Sequence, residues 1–322
     1  MSSHRIAAGL ILLLLLAAPA AATYAGDKPL STVLHDEFRG DYVYTVGNST
    51  YSGAINPGGQ YTVAFDPELP ADATIRYQRL YVYWAWSKLD QSAIYPVLSL
   101  TRTDTGEQLA ETGRYTDSKG FVSQNDFFSG MDIFTTADLN PGKNSFAVVL
   151  KNNATDNRTF VVQGIGLLTV YESPGSSEAI IWVSEGADLL YSSHGITPAM
   201  ASSKIDFPGT IEKSSLKSAE LFLGAPSGGY TREKIPVINR LFFNREATSS
   251  MPSFFETILS ALFPGSSGKE WVNIFDSDET VQIGLDRRDV LPYLRSEGNF
   301  ALVQDEKDYL MLTNAVLRAE KR

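Results

Sequence analysis

Two stretches of this chain, about 140 residues apart, spell the same succession of elements, and that repetition limits the fold more than any other feature. Thr74 to Ser87 reads TIRYQRLYVYWAWS, an aromatic and β-branched run with Leu80, Val82, Trp84 and Trp86 on one side of a period-two pattern, which predicts a strand. Ser215 to Ala225 reads SLKSAELFLGA, where Leu216, Lys217, Leu221, Phe222 and Leu223 match Ile75, Arg76, Leu80, Tyr81 and Val82 in kind. Asp138-Leu-Asn-Pro141 precedes Asn144-Ser-Phe-Ala-Val-Val149, as Asp289-Val-Leu-Pro292 precedes Asn299-Phe-Ala-Leu-Val303. Each copy closes with a further strand, Thr159 to Tyr171 and Tyr309 to Leu317. Upstream, Val63-Ala-Phe-Asp66 corresponds loosely to Ile205-Asp-Phe-Pro208. The order of elements is the same in both halves, as a tandem duplication requires.

A chain of 322 residues suits two units of about 150 residues each. The turn-forming stretch 173–177, Ser-Pro-Gly-Ser-Ser, divides them. Closely spaced strands, polar turns and little helix predict an all-β protein of two tandem antiparallel jelly-roll-like β-sandwich domains, residues 27–172 and 178–322, with a barrel as the competing architecture. The second copy carries about ten extra residues. Ser253-Phe-Phe-Glu256 has the form of a capping box, and Phe254, Phe255, Ile258, Leu259, Leu262 and Phe263 follow at helical spacing until Pro264-Gly265. One short amphipathic helix inserted in the second domain is therefore expected. Being apolar over most of its circumference, it must be covered by its own domain, a partner chain or a membrane surface.

Residues 1–22 read as a cleavable signal peptide: Arg5, an apolar run from Ile6 to Ala18, Pro19, then small residues through Ala22. That run is too short to span a bilayer, and no later stretch is long and apolar enough, so the expected mature protein has no transmembrane anchor. The full chain's 37 acidic against 27 basic residues give a net charge of −10, which disfavours nucleic acid as a partner. The absence of cysteine removes disulfides, thiolate catalysis and thiolate metal sites. Asn48, Asn153 and Asn157 head glycosylation sequons.

No Gly-x-Ser-x-Gly elbow or His-Glu-x-x-His pair occurs, and His35 and His194 read as polar strand ends or loops, so no catalytic residue is assigned. Asp276, Asp278 and Glu279 crowd one turn whose oxygens suit calcium, although acidic residues also favour turns for their own hydrogen bonds. Tyr81, Tyr83, Trp84 and Trp86 share one strand. If exposed, their rings suit stacking on sugars; if buried, they fill a core. Thr159 to Tyr171 and Leu80 to Ser87 contain no charge. At a sheet edge either run is a template for pairing with another copy; in a central strand the composition is ordinary.

Gly40-Asp-Tyr-Val43, Arg79-Leu-Tyr-Val-Tyr-Trp84 and the Asp138-Leu-Asn-Pro141 to Asn144 turn resemble a family of secreted methanogen proteins with a duplicated β domain of unknown function. The likeness runs from about Pro29 to the end of the chain. It implies an archaeal cell envelope, a surface layer or sheath, and carries over no catalytic residue. The expected function is a non-enzymatic structural component of an extracellular envelope, assembling with itself or with other envelope proteins through strand edges and the segment Phe254, Phe255, Ile258, Leu259, Leu262. The alternative is a carbohydrate-binding or adhesive module.

Overall fold

The structure, a computed structural model, describes residues 28–122, 125–136, 139–231, 234–246 and 268–322. The expected leader and the expected helix over 254–263 lie outside the described residues. The first lobe comprises β1 (Ser31–Thr45), β2 (Ala54–Ile55), β3 (Gln60–Phe65), β4 (Glu68–Leu69), β5 (Thr74–Leu89), β6 (Ser92–Ala93), β7 (Leu98–Arg102), β8 (Glu111–Val122), β9 (Asn125–Phe134), β10 (Gly142–Lys143), β11 (Phe146–Asn152) and β12 (Thr159–Glu172). The turn 173–177 leads into β13 (Glu178–Leu190), β14 (Ser202–Thr210), β15 (Leu216–Pro226), β16 (Asn239–Phe243), β17 (Lys269–Val272), β18 (Ile283–Asp289), β19 (Glu297–Asp305) and β20 (Leu310–Lys321). Pairing among these strands is antiparallel throughout. Helical structure among the described residues is confined to single 3-10 turns at Lys213–Ser215 and Leu291–Tyr293.

A long sheet runs β18-β15-β20-β13-β1-β12-β5-β9-β8, and two shorter ones run β3-β11-β7 and β14-β19-β16-β17. Strand for strand, β1-β12-β5-β9 corresponds to β13-β20-β15-β18, and β3-β11-β7 to β14-β19-β16. The succession repeated in the sequence is thus repeated in space. In the first lobe Val63, Phe65, Leu100 and Val148 meet Leu80, Val82, Trp84 and Leu167. In the second, Ile205, Phe207, Leu241 and Val303 meet Trp182, Leu221, Leu223 and Leu317. The alternate side chains of the same long strands form a third core across the middle: Tyr81, Tyr83, Leu168 and Val170 of one lobe against Ile181, Val183, Phe222 and Val316 of the other. The long sheet therefore folds back on itself, and four sheets are stacked with three cores between them.

β1 makes this fold-back possible. Its first part pairs with β13 and, from Gly40 onward, it pairs with β12. A Cβ at Gly40 would stand 2.0 Å from the Tyr171 carbonyl oxygen and 2.6 Å from the Phe38 ring, so only glycine fits where the strand changes sheets.

The two charge-free strands are not edges. β12 lies between β1 and β5, and β5 between β12 and β9, so their backbone groups are already paired on both sides. Of the two alternatives the central-strand one holds, so these runs offer no edge through which to recruit another copy. Their apolarity serves burial on both faces, since alternate residues of β5 enter two different cores. The long sheet ends instead on β8, with Glu111, Arg114, Asp117 and Lys119, and on β18, with Asp286, Arg287, Arg288 and Asp289. Charges on an edge oppose strand addition.

The repeat extends to a side-chain clamp. Asn140 N donates to Asn144 Oδ1 at 2.9 Å while Asn144 Nδ2 donates to Asn140 O at 2.8 Å. In the second lobe Arg295 N donates to Asn299 Oδ1 at 2.8 Å and Asn299 Nδ2 to Arg295 O at 2.9 Å. Asn299 is fully buried and also accepts from Asn244 Nδ2 at 2.8 Å. Asn299→Ala is expected to cost about 2–3 kcal/mol, and Asn144→Ala, in a half-buried position, about 1 kcal/mol. Thermal denaturation of the two variants checks the order; equal losses would contradict it.

Candidate functional site

A set of buried, hydrogen-bonded polar side chains lies between the lobes. Period two on β5 sends Tyr77, Tyr81 and Tyr83 to the middle core while Leu80, Val82 and Trp84 enter the first lobe. Glu185 on β13, 2% exposed, accepts from Tyr77 OH at 2.7 Å and Tyr81 OH at 2.5 Å. Tyr83 OH donates to Asn314 Oδ1 at 2.6 Å and lies 2.6 Å from Tyr44 OH. The Tyr44 ring in turn stands 4.5 Å from that of Phe222. Burial pushes the Tyr44, Tyr81 and Tyr83 phenols far above the ordinary tyrosine range, so they act as neutral hydroxyl donors. Gly166 makes room for them: a Cβ there would meet Tyr44 OH at 2.6 Å and Tyr83 OH at 2.8 Å.

At the rim of this layer a cleft of about 410 Å³ is lined by Asp41, Tyr42, Lys217, Glu220, Arg287 and Arg318, among others. Arg287 donates to Glu220 at 2.5 Å and to Tyr42 OH at 2.7 Å, and Tyr42 OH donates to Glu220 at 2.9 Å. Arg318 Nε stands 2.9 Å from Asp41 Oδ1, and Lys217 pairs with Glu320 at 2.9 Å. The Lys217 ammonium, with Ser177 and Arg318, holds the Glu320 carboxyl down at about 2, whereas burial raises Asp41. Cations and carboxylates alternate around this cleft and neutralise one another across the lobe boundary. The arrangement fastens β1, β15, β18 and β20 together.

Among the side chains singled out for stacking, Tyr81, Tyr83 and Trp84 are fully buried, so of the two alternatives these three take the core and present no ring face to a glycan. Trp84 Nε1 donates to the buried Asp132 at 2.8 Å, and Asp132 is paired with Arg114. Trp86 is half-buried, its ring 6.0 Å from Tyr309. Among the described residues no three His, Asp or Glu side chains are grouped so as to hold a metal ion, those of Asp276, Asp278 and Glu279 included. Asp278 Oδ1 instead accepts from Thr280 N at 2.7 Å and Val281 N at 2.8 Å, and these bonds lower its carboxyl pKa. Asn48, Asn153 and Asn157 are all exposed. Asn48 Oδ1 accepts from Ala64 N, and Asn153 Nδ2 donates to Ser99 Oγ at 2.7 Å. His35 stacks on Trp182 at 4.7 Å and His194 faces Tyr191, both away from the cleft. Phe254, Phe255, Ile258, Leu259 and Leu262 lie outside the described residues.

The residues of the lobe junction were missed by sequence reasoning, although a signal existed. Glu185 is one of only two charges between Ala179 and Leu190, and Asn314 is the lone amide in the apolar run Leu310 to Leu317. A polar group in such a run has to find a buried partner.

Fold and junction together define an all-β protein of two repeated lobes, antiparallel throughout and joined face to face. Residues 23–320 match the family described as "Protein of unknown function (DUF3344)", and the chain belongs to that family. Among solved structures, the crystal structure of the major capsid protein P2 from Bacteriophage PM2 is similar over 88% of this chain and 98% of that one, at 8% identity and a TM-score of 0.21, a likeness too slight to carry an inference. No curated protein matches the sequence significantly.

Proposed function

We propose that the chain is a non-enzymatic structural component of an extracellular cell envelope, exported by its leader and associating with itself or with other envelope proteins in a surface layer or sheath. One observation carries this reading: the polar side chains between the lobes are spent on locking two copies of one unit into a single four-sheet body. A subunit that works by contact needs such rigidity, because each flexible joint adds entropy lost on assembly. Charged ends on the long sheet keep association from running on through unspecific strand pairing.

Each lobe is, on this reading, a jelly roll. The orders β13-β20-β15-β18 and β14-β19-β16-β17 are those of two interleaved Greek keys, and the first lobe repeats them apart from β8, which pairs with β9.

Sedimentation velocity of the purified protein over a hundredfold range of concentration, with and without calcium, tests the proposal. Species larger than the monomer are expected to grow with concentration. A monomer at the highest concentration, together with an absence of antibody label on isolated envelopes, would refute the structural role.

A further inference from the structure

The outer faces of the two short sheets differ in one place. In the second lobe Ile205, Leu241, Phe243, Ala301 and Val303 point inward, which leaves their alternates Phe242, Phe300 and Leu302 on the face turned away from the core. Phe242 pairs directly with Leu302, and Phe300 lies two residues along the same strand. Polar residues bound the patch: Lys204 pairs with Leu302, Asp206 with Phe300 and Glu270 with Phe242. The Lys204 ammonium stands 4.5 Å from the Phe300 ring centroid. Despite facing outward, the three apolar side chains are only 4, 6 and 8% exposed.

The first lobe shows what the same face looks like without the patch. With the Asn144 and Asn299 clamps aligned, Ser145 and Ala147 stand where Phe300 and Leu302 do. Thr103 N donates to Ala147 O, so Thr103 lies beside Ala147 as Phe242 lies beside Leu302. Ser145 and Thr103 are exposed and Ala147 is half-buried. One lobe has thus exchanged a small polar surface for two phenylalanines and a leucine. That lobe is also the one with the inserted apolar segment, which leaves the chain after β16 and returns to it before β17. Both strands belong to the patched sheet, and the 21 residues from 247 to 267 connect them in the sequence.

From this coincidence we infer that the Phe242–Phe300–Leu302 patch is the docking surface of the chain's own residues 254–263, received through Phe254, Phe255, Ile258, Leu259 and Leu262. The segment then belongs to the second lobe and does not serve to join one subunit to the next. Apolar surface that would invite unspecific association is removed within the monomer. The inference stands apart from the envelope reading, since a protein of any function could carry this patch.

The natural chain has no cysteine, so a single Leu302→Cys introduces the only thiol. Its reaction with a maleimide is expected to be at least about tenfold slower than that of Ala147→Cys, at every protein concentration. Replacing Phe254, Phe255, Ile258, Leu259 and Leu262 with serine is expected to abolish the protection. Equal rates at the two positions, or protection that survives the serine replacements, would overturn the inference. Protection that grows with protein concentration would do so too, by identifying a second copy as the occupant. Phe300→Cys serves if Leu302→Cys does not fold. If the serine variant does not fold, oxidation of a Leu259→Cys, Leu302→Cys chain decides: a disulfide within one chain supports docking, whereas dimers or free thiols refute it.

Discussion

Gly40→Ala is expected to lower the stability of the whole molecule by about 3 kcal/mol or more, read from urea unfolding. Nearest the new methyl group is the Tyr171 carbonyl oxygen at 2.0 Å, a backbone atom that cannot swing aside as a side-chain tip would. Tyr171 belongs to β12, which β5 holds from its other side. Relief of the clash therefore has to shift a central strand of the first lobe, or separate β1 from one of the two sheets it joins. Either movement opens the middle core, where Tyr81 and Glu185 lie. Gly113→Ala in β8 is the control, because its Cβ would approach nothing nearer than Ile133 Cδ1 at 3.6 Å, an ordinary contact. It is expected to change stability by less than about 1 kcal/mol. Similar losses at both positions would show that the crossing point is not constrained as described.

Acidification from pH 8 to pH 5 is expected to stabilise the protein, by about 2–4 kcal/mol in total, with a matching rise in Tm. Two buried carboxyls dominate this window. Asp308, in the turn between β19 and β20, accepts from Gly229 N at 2.8 Å and Asn239 Nδ2 at 2.6 Å. Burial, with Asp305 nearby, pushes its pKa up to about 7. Asp188 is raised to about 6, again mainly by burial. A carboxyl with a folded-state pKa above its unfolded value binds its proton more tightly when folded. Its favourable contribution is complete below the unfolded pKa, near 4, and is lost as the pH rises through 6 to 7. Glu320 and Asp156 behave oppositely: both are held at about 2, and their contributions disappear only as the pH falls from about 4 towards 2. Stability should therefore peak in mildly acidic solution. Calorimetry from pH 4 to pH 9 checks the curve, and Asp308→Asn should remove more than half of the slope between pH 6 and pH 8. A Tm that is flat or rises across that interval would exclude the assignment.

Much of the strand plan was legible in the sequence because alternation is local. The period-two pattern of Thr74 to Ser87 separated Leu80, Val82 and Trp84 from Tyr81 and Tyr83, and the structure keeps them on opposite faces. The match of Asn144 with Asn299 pointed to equivalent turns, and both side chains close the same clamp. The candidate sites fared differently. Stacking by Tyr81, Tyr83 and Trp84 requires exposed ring faces, and calcium at Asp276, Asp278 and Glu279 requires carboxylates with free lone pairs, and sequence shows neither exposure nor partners. In the structure those rings are in cores, and Asp278 binds its own turn.

By itself, then, the sequence determined that this is a β protein with one set of elements used twice, and which side chains share a face of each strand. Only the tertiary structure decided what lies opposite each face: β5 and β12 run through the middle of a sheet, Tyr81 meets Glu185 from 104 residues away, and β1 serves both lobes. The reason is physical. A strand's side-chain alternation follows from its own backbone geometry, whereas its neighbours are chosen by burial and hydrogen bonding summed over the whole chain, which no local pattern records.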